Sequence, residues 1–196
     1  MGASFGRCDL RRGAEGYDEL FARATQLFIP ALLDAAHLAS GQTILDVATG
    51  TGAAARAAVH VVGPKGSVFA GDISPTMLEA ARCNLRGLPV TLEMLDGHAL
   101  PYPDNSFDAV ICQLGLMFFT DPARGLSEFY RVLRKGGWTA VSVTTTPEFM
   151  SLLGRAAIGW PHAIFARQPE KVFRIGFLGA ASAFGYASGP SRFRLC

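Results

Sequence analysis

The chain has 196 residues, 18 Lys+Arg against 16 Asp+Glu, and a formal net charge of +2. Hydrophobic residues make up 49% and charged residues 17%. That balance excludes disorder as the dominant state and gives no basic field of the kind that grips nucleic acid. The length fits one domain with a sizeable core. Charge is uneven along the chain: residues 1–150 carry a net −3, whereas residues 151–196 carry a net +5 with Glu170 as their one acid. Such an excess raises contact with a membrane surface as a minor reading. Cys8, Cys83, Cys112 and Cys196 show no CxxC spacing, so no metal or redox pair is expected, and a reduced, cytoplasmic setting fits best. No apolar signal region follows Arg7–Arg12. The uncharged stretch Ile175–Ser191 is glycine-broken and too short to span a membrane.

In chain order, Asp18–Leu38 has helical apolar spacing, with Pro30 as a break or kink. Thr43–Val47 reads as a buried strand, Gly50-Thr51-Gly52 as a turn and Ala53–Val62 as a helix. Ser67–Ala70 is the next strand, closed by Gly71-Asp72. Ser74-Pro75 opens a helix through Arg86, with Ser at the cap and Pro in the first turn. Val90–Leu95 and Phe107–Gln113 are strands three and four. Pro122–Arg134 is a helix ended by Lys135-Gly136-Gly137, and Trp138–Thr144 is strand five. Strands alternating with helices argue for a doubly wound, mainly parallel, Rossmann-like α/β sheet with helices on both faces. In such folds the ligand sits beyond the carboxyl ends of the strands, which points to Ala48–Gly52, Asp72–Ser74, Asp96–His98 and Gln113–Gly115.

Strand one ends Ile44-Leu45-Asp46-Val47-Ala48-Thr49-Gly50-Thr51-Gly52. Glycines in a strand-to-helix turn let backbone approach a ligand, and the helix start offers free N–H groups. Asp72, twenty residues beyond Gly52, is placed to accept hydrogen bonds from a ribose diol. Ala53-Ala54-Ala55 follows in place of the third glycine of GxGxxG. Asp46 beside the loop would repel a pyrophosphate and suits a ligand with an amino group and a sulfonium cation. The competing role for Asp46 is a buried acid satisfied by turn amides, and for Asp72 a plain helix-entry residue.

These segments resemble the first motif of class I S-adenosylmethionine-dependent methyltransferases. Gly71–Leu78, Asp96–Asp108 and Tyr130–Gly137 are similar to three further segments in the same order, over roughly Tyr17 to Thr145. The likeness is to the ubiquinone/menaquinone-biosynthesis C-methyltransferase-like (methyltransferase type 11) group. It implies S-adenosyl-L-methionine as cofactor and a small-molecule acceptor. It also implies roles at matching positions. Asp46 and the backbone of Ala48, Thr49, Gly50 and Gly52 would hold the methionine moiety. Asp72 would hold the ribose, and Ile73 and Met77 would lie by the adenine. Asp96 would accept from the adenine amino group, flanked by Gly97 and His98. Gln113 would lie near the methyl group, and Tyr17 would close over the cofactor. Many members have glycine at position 48; alanine is a small change there if the local φ is negative. His98 has a minor reading as a general base, so no catalytic residue is named, and no metal is expected. Phe118-Phe119 is weighed between an apolar pocket lining and plain helix packing.

Residues 1–40 are expected to form a helical cap, 41–146 the cofactor-binding domain, and 147–196 an atypical C-terminal segment of the same domain. That segment suggests helices at Glu148–Ile158 and Glu170–Leu178, with the family's closing antiparallel hairpin absent or altered and strand five exposed at an edge. Two alternatives stay open: an NAD(P)-dependent oxidoreductase, and a cofactor-binding protein made inactive by its C-terminus.

Overall fold

The computed structural model describes residues 26–144 and the backbone of 172–178. Tyr17, most of the expected N-terminal cap and the expected helix at Glu148–Ile158 lie outside the described residues. Six strands, β1 Thr43–Val47, β2 Ser67–Asp72, β3 Val90–Met94, β4 Phe107–Gln113, β5 Leu133–Thr144 and β6 Val172–Leu178, form one sheet in the order β3-β2-β1-β4-β5-β6. Every neighbouring pair is parallel. The helices are α1 Ile29–Ala35, α2 Ala53–Val62, α3 Pro75–Asn84 and α4 Pro122–Val132.

Consecutive residues of a strand point to opposite faces, so an uninterrupted apolar run such as Ile44-Leu45 serves two cores. On one face Ile44, Val68, Ala109 and Ile111 pack with Leu32 and Leu33 of α1 and Ala55, Ala58 and Val62 of α2. On the other, Leu45, Val110, Cys112 and Val141 pack with Leu126, Phe129 and Val132 of α4. The strand order reverses at β1, between β2 and β4, which sets a crevice at the carboxyl end of β1.

The expected break at Pro30 is present: residues 27–28 form a turn, and Pro30 sits in the first turn of α1, where its missing N–H costs no hydrogen bond. Two local expectations change. Lys135-Gly136-Gly137 is not a helix end. Leu133 is already extended and pairs with Phe107, Trp138 pairs with Ala109, and residues 134–137 bulge out opposite Asp108. Arg134 Nη1 donates to Asp108 Oδ1 at 2.8 Å across that bulge. Finally, residues 172–178 are strand, in register from Trp138↔Val172 to Thr144↔Leu178. The expected helix at Glu170–Leu178 therefore fails, and the edge of β5 is covered by a parallel strand. Val172, Phe173, Ile175 and Phe177 are strand formers, and their preference outweighs Gly176. Cys112 is free and buried.

Candidate functional site

The crevice is built from the ends of four strands. After β1 the chain turns through Ala48 (φ +56°), Gly50 (φ +55°) and Gly52 (φ +87°) into α2. Two carboxylates hold this turn. Asp46 is fully buried, and its Oδ2 accepts a hydrogen bond from Thr49 Oγ1 at 2.6 Å. Its Oδ1 has no partner. Burial pushes the Asp46 carboxyl up to about 7, against the pull of the Thr49 hydroxyl. At the end of β2, Asp72 Oδ2 accepts from the Gly50 amide at 2.8 Å and Oδ1 from the Ser74 amide at 2.9 Å. One side chain thereby ties the glycine turn to the entry of α3. Ser74 caps that helix, its Oγ accepting from the Met77 amide at 3.4 Å.

Beyond β3, Asp96 Oδ1 accepts from the His98 amide at 2.9 Å and meets His98 Nδ1 at 2.7 Å. The His98 amide, then its ring, hold the Asp96 carboxyl below the usual carboxylate range. Beyond β4 the chain passes through Gln113, Leu114 (φ +57°) and Gly115 into a single turn over Leu116–Phe118. Phe119 then wedges between two glycines. A Cβ on Gly97 would stand 2.2 Å from Phe119 Cζ, and one on Gly125 would stand 2.5 Å from Phe119 Cδ2. Phe118 is 81% exposed at the rim.

These elements enclose a cavity of about 500 Å³, within the size range of small-molecule sites. Of the residues singled out from sequence, Ala48, Thr49, Gly50, Asp72, Ile73, Met77, Asp96, Gly97, His98 and Gln113 line it. Asp46 and Gly52 do not. Asp46 lies beneath the turn, and Gly52 faces Leu85, whose Cδ1 would be 2.9 Å from an added Cβ. Phe118 and Phe119 line the cavity, and Phe119 also packs against α4, so both readings of that pair hold in part. Sequence reasoning missed Gln26, Val47, Ala53, Leu95 and Thr120. Val47 and Leu95 adjoin the strand ends and were within reach of that rule. Gln26 and Thr120 carry no local signal.

The condition set on Ala48 also fails. Its φ is positive, a conformation that costs a residue with a side chain roughly 1–2 kcal/mol. Its Cβ explains Gly115, where an added Cβ would come within 2.4 Å of it. His98 is not poised as a general base, because Nε2 accepts from the Asp121 amide at 3.2 Å and Nδ1 is engaged by Asp96. Among the described residues no cluster of His, Cys, Asp and Glu could hold a metal ion, and no helix is long and apolar enough to cross a membrane.

Residues 45–141 match the family described as "Methyltransferase domain". Over 110 residues the chain is 44% identical to the ubiquinone/menaquinone biosynthesis C-methyltransferase UbiE of Stenotrophomonas maltophilia, covering 54% of this chain and 44% of that one. Against UbiE of an Enterobacter species it is 38% identical over 148 residues, covering 74% and 59%. The chain thus spans about half the length of the curated relatives it matches. Among solved structures, a SAM-dependent methyltransferase from Aquifex aeolicus superposes with a TM-score of 0.53 at 28% identity, over 58% of this chain and 62% of that one. The [4+2]-cyclase SpnF superposes at 0.54 and 30% identity, over 60% and 44%. Sheet, crevice and motif order define a Rossmann-like, nucleoside-cofactor class of protein. Within it, residues 45–141 match a methyltransferase domain, and the chain is similar to S-adenosylmethionine-dependent methyltransferases. None of these comparisons favours an oxidoreductase.

The donor set fits the family's cofactor, S-adenosylmethionine. Every carboxylate at the crevice suits a cation, a diol or an amino group, and the turn lacks the third glycine a pyrophosphate site uses. Among the described residues Asp96 Oδ2 has no partner, and Asp96 lines the cavity with its side chain 48% exposed.

Proposed function

We propose that the chain moves a methyl group from S-adenosylmethionine to a small organic acceptor by in-line displacement. The observation that carries this is the placement of Asp72 and Asp96 with residues 48–51 of the glycine turn around one cavity. The backbone of that turn would hold the methionine part. Asp72 would take the ribose hydroxyls on lone pairs left over from its two amide bonds, since a carboxylate can accept about four hydrogen bonds. Ile73 and Met77 would flank the base, with Asp96 accepting its amino group and Gln113 standing at the acceptor mouth. Tyr17 is kept as a closing residue on the resemblance alone.

The cofactor supplies a methyl group already activated on a sulfonium. The chain's own residues bind, align and exclude water, and proximity of this kind can supply roughly 7–11 kcal/mol in favourable cases. Asp46 acts from beneath the turn: a buried carboxylate short of one hydrogen bond favours positive charge above it. We assign no general base, since both nitrogens of His98 are engaged. The relatives are named as C-methyltransferases, which favours a carbon acceptor, and Leu114, Phe118 and Phe119 give the acceptor side an apolar lining. A cytoplasmic protein whose partner is a small molecule and not a nucleic acid completes the reading, supported by the near-neutral charge.

The test is transfer of an isotopically labelled methyl group to a panel of small acceptors, with the product's position read by mass spectrometry. Transfer to carbon supports the reading. The SpnF likeness carries a second one, a cofactor-dependent scaffold that does other chemistry. Tight S-adenosylhomocysteine binding without methyl transfer to any of the panel favours that second reading.

A further inference from the structure

His98 is used by nothing in the reaction just described, yet its side chain meets Asp96, Phe119, Thr120 and Asp121 at the cavity. Its Nε2 accepts the Asp121 amide at 3.2 Å, with Thr120 Oγ1 at 3.4 Å. A neutral imidazole that accepts at Nε2 carries its proton on Nδ1. Nδ1–H therefore donates to Asp96 Oδ1 at 2.7 Å, beside the His98 amide at 2.9 Å. Oδ1 is thus doubly occupied, which restrains the carboxylate in rotation, and on this cavity-lining side chain Oδ2 is left as an acceptor with no partner among the described residues.

The same ring reaches the opposite wall. Asp121 caps α4, its Oδ1 accepting from the Arg124 amide at 3.0 Å. Arg124 Nε returns to the His98 carbonyl at 2.8 Å and closes a cycle. The His98 ring also lies 4.8 Å from that of Phe119. The loop after β3 and the chain entering α4 are joined through one imidazole.

We propose that His98 is a positioning residue for base recognition: it holds Asp96 so that Oδ2 selects a 6-amino purine against a 6-oxo purine, and it ties that choice to the wall before α4. This rests on the reading of Asp96 given above. An acceptor-only oxygen takes an amino hydrogen and repels a carbonyl, so selection requires that Oδ2 stay aimed and that no donor replace it.

The probes are S-adenosylhomocysteine and its inosine counterpart, in which the 6-amino group is a 6-oxo group, with affinities measured by calorimetry. The wild-type chain should prefer the adenosine compound by at least about tenfold, as loss of a hydrogen bond to a charged group implies. His98→Gln keeps an acceptor within reach of Asp121 but releases Asp96, so the preference should collapse while Tm stays near wild type. His98→Asn keeps a donor for Asp96 but not the acceptor for Asp121, so Tm should fall while most of the preference survives. A merely structural histidine would weaken both ligands equally in both variants, and an unchanged ratio in His98→Gln overturns the proposal. Asp96→Asn separates the two layers. If it abolishes the preference and His98→Gln does not, the role of His98 alone is wrong. If Asp96→Asn leaves the preference intact, the reading of Asp96 is wrong and the proposal falls with it.

Discussion

The two walls of the cavity are built on opposite principles. The wall after β1 and β2 is backbone, held by Asp46 and Asp72, and both carboxylates are nearly or fully buried. The wall after β4 is apolar, ends in the exposed Phe118, and is held by shape, with Phe119 between two glycines. Buried hydrogen-bonded acids fix a geometry and tolerate little change, whereas a wedge of aromatic side chains can be refitted one residue at a time. The first wall suits a constant ligand and the second a variable one.

Breaking the first wall should have the largest effect. Asp72→Ala removes the acceptor of the Gly50 and Ser74 amides together with the proposed sugar contact, so S-adenosylhomocysteine affinity should fall by about 1.5–3 kcal/mol. Unchanged affinity in a calorimetric titration would refute that role. Breaking the second wall should act differently. Gly97→Ala puts a methyl group where Phe119 lies, and overpacking of this kind costs about 1–3 kcal/mol, read in chemical denaturation.

The pH dependence sharpens the contrast. The Asp46 carboxyl is raised from 3.8 to about 7, so the folded chain binds a proton that the unfolded chain has released across that interval. Stability from this group is therefore greatest below pH 4 and declines as pH rises toward 7. A cation above the turn favours the ionised form, so cofactor binding should release a proton near pH 7 and tighten by up to about tenfold between pH 6 and 8. Asp46→Asn should flatten both trends, and titrations in buffers of different ionisation enthalpy would detect the proton. The smallest effect is expected at Ala48. Replacing it by glycine relieves a positive φ and should stabilise the chain by about 0.5–1 kcal/mol in thermal unfolding.

Strong local signals made most of the described fold legible. Ala53–Val62 and Phe107–Gln113 match their expected bounds, and Ser74 caps its helix as its side chain allows. The failures arose where tertiary pairing overrides local preference. Lys135-Gly136-Gly137 reads as a helix stop, but Leu133 finds a strand partner in Phe107 first. Residues 172–178 read as glycine-interrupted helix and become strand because β5 offers an open edge. At the site, the rule that ligands gather at strand ends located twelve cavity residues, and the resemblance added Met77 and proposed roles for most of them. It could not show that Asp46 points beneath the turn, because a strand's alternation is silent on what the next loop covers. Nor could it show that Ala48 adopts a positive φ, or that Thr120 is brought beside His98 by the entry to α4.

The most direct measurement is calorimetric titration of the wild-type chain with S-adenosylhomocysteine and with NAD(H), repeated on Asp72→Ala. Saturable binding of S-adenosylhomocysteine, its loss or marked weakening in Asp72→Ala, and no response to NAD(H) are predicted. Binding of NAD(H) alone, or equal S-adenosylhomocysteine affinity in the two chains, would contradict a crevice whose acids read a sulfonium nucleoside.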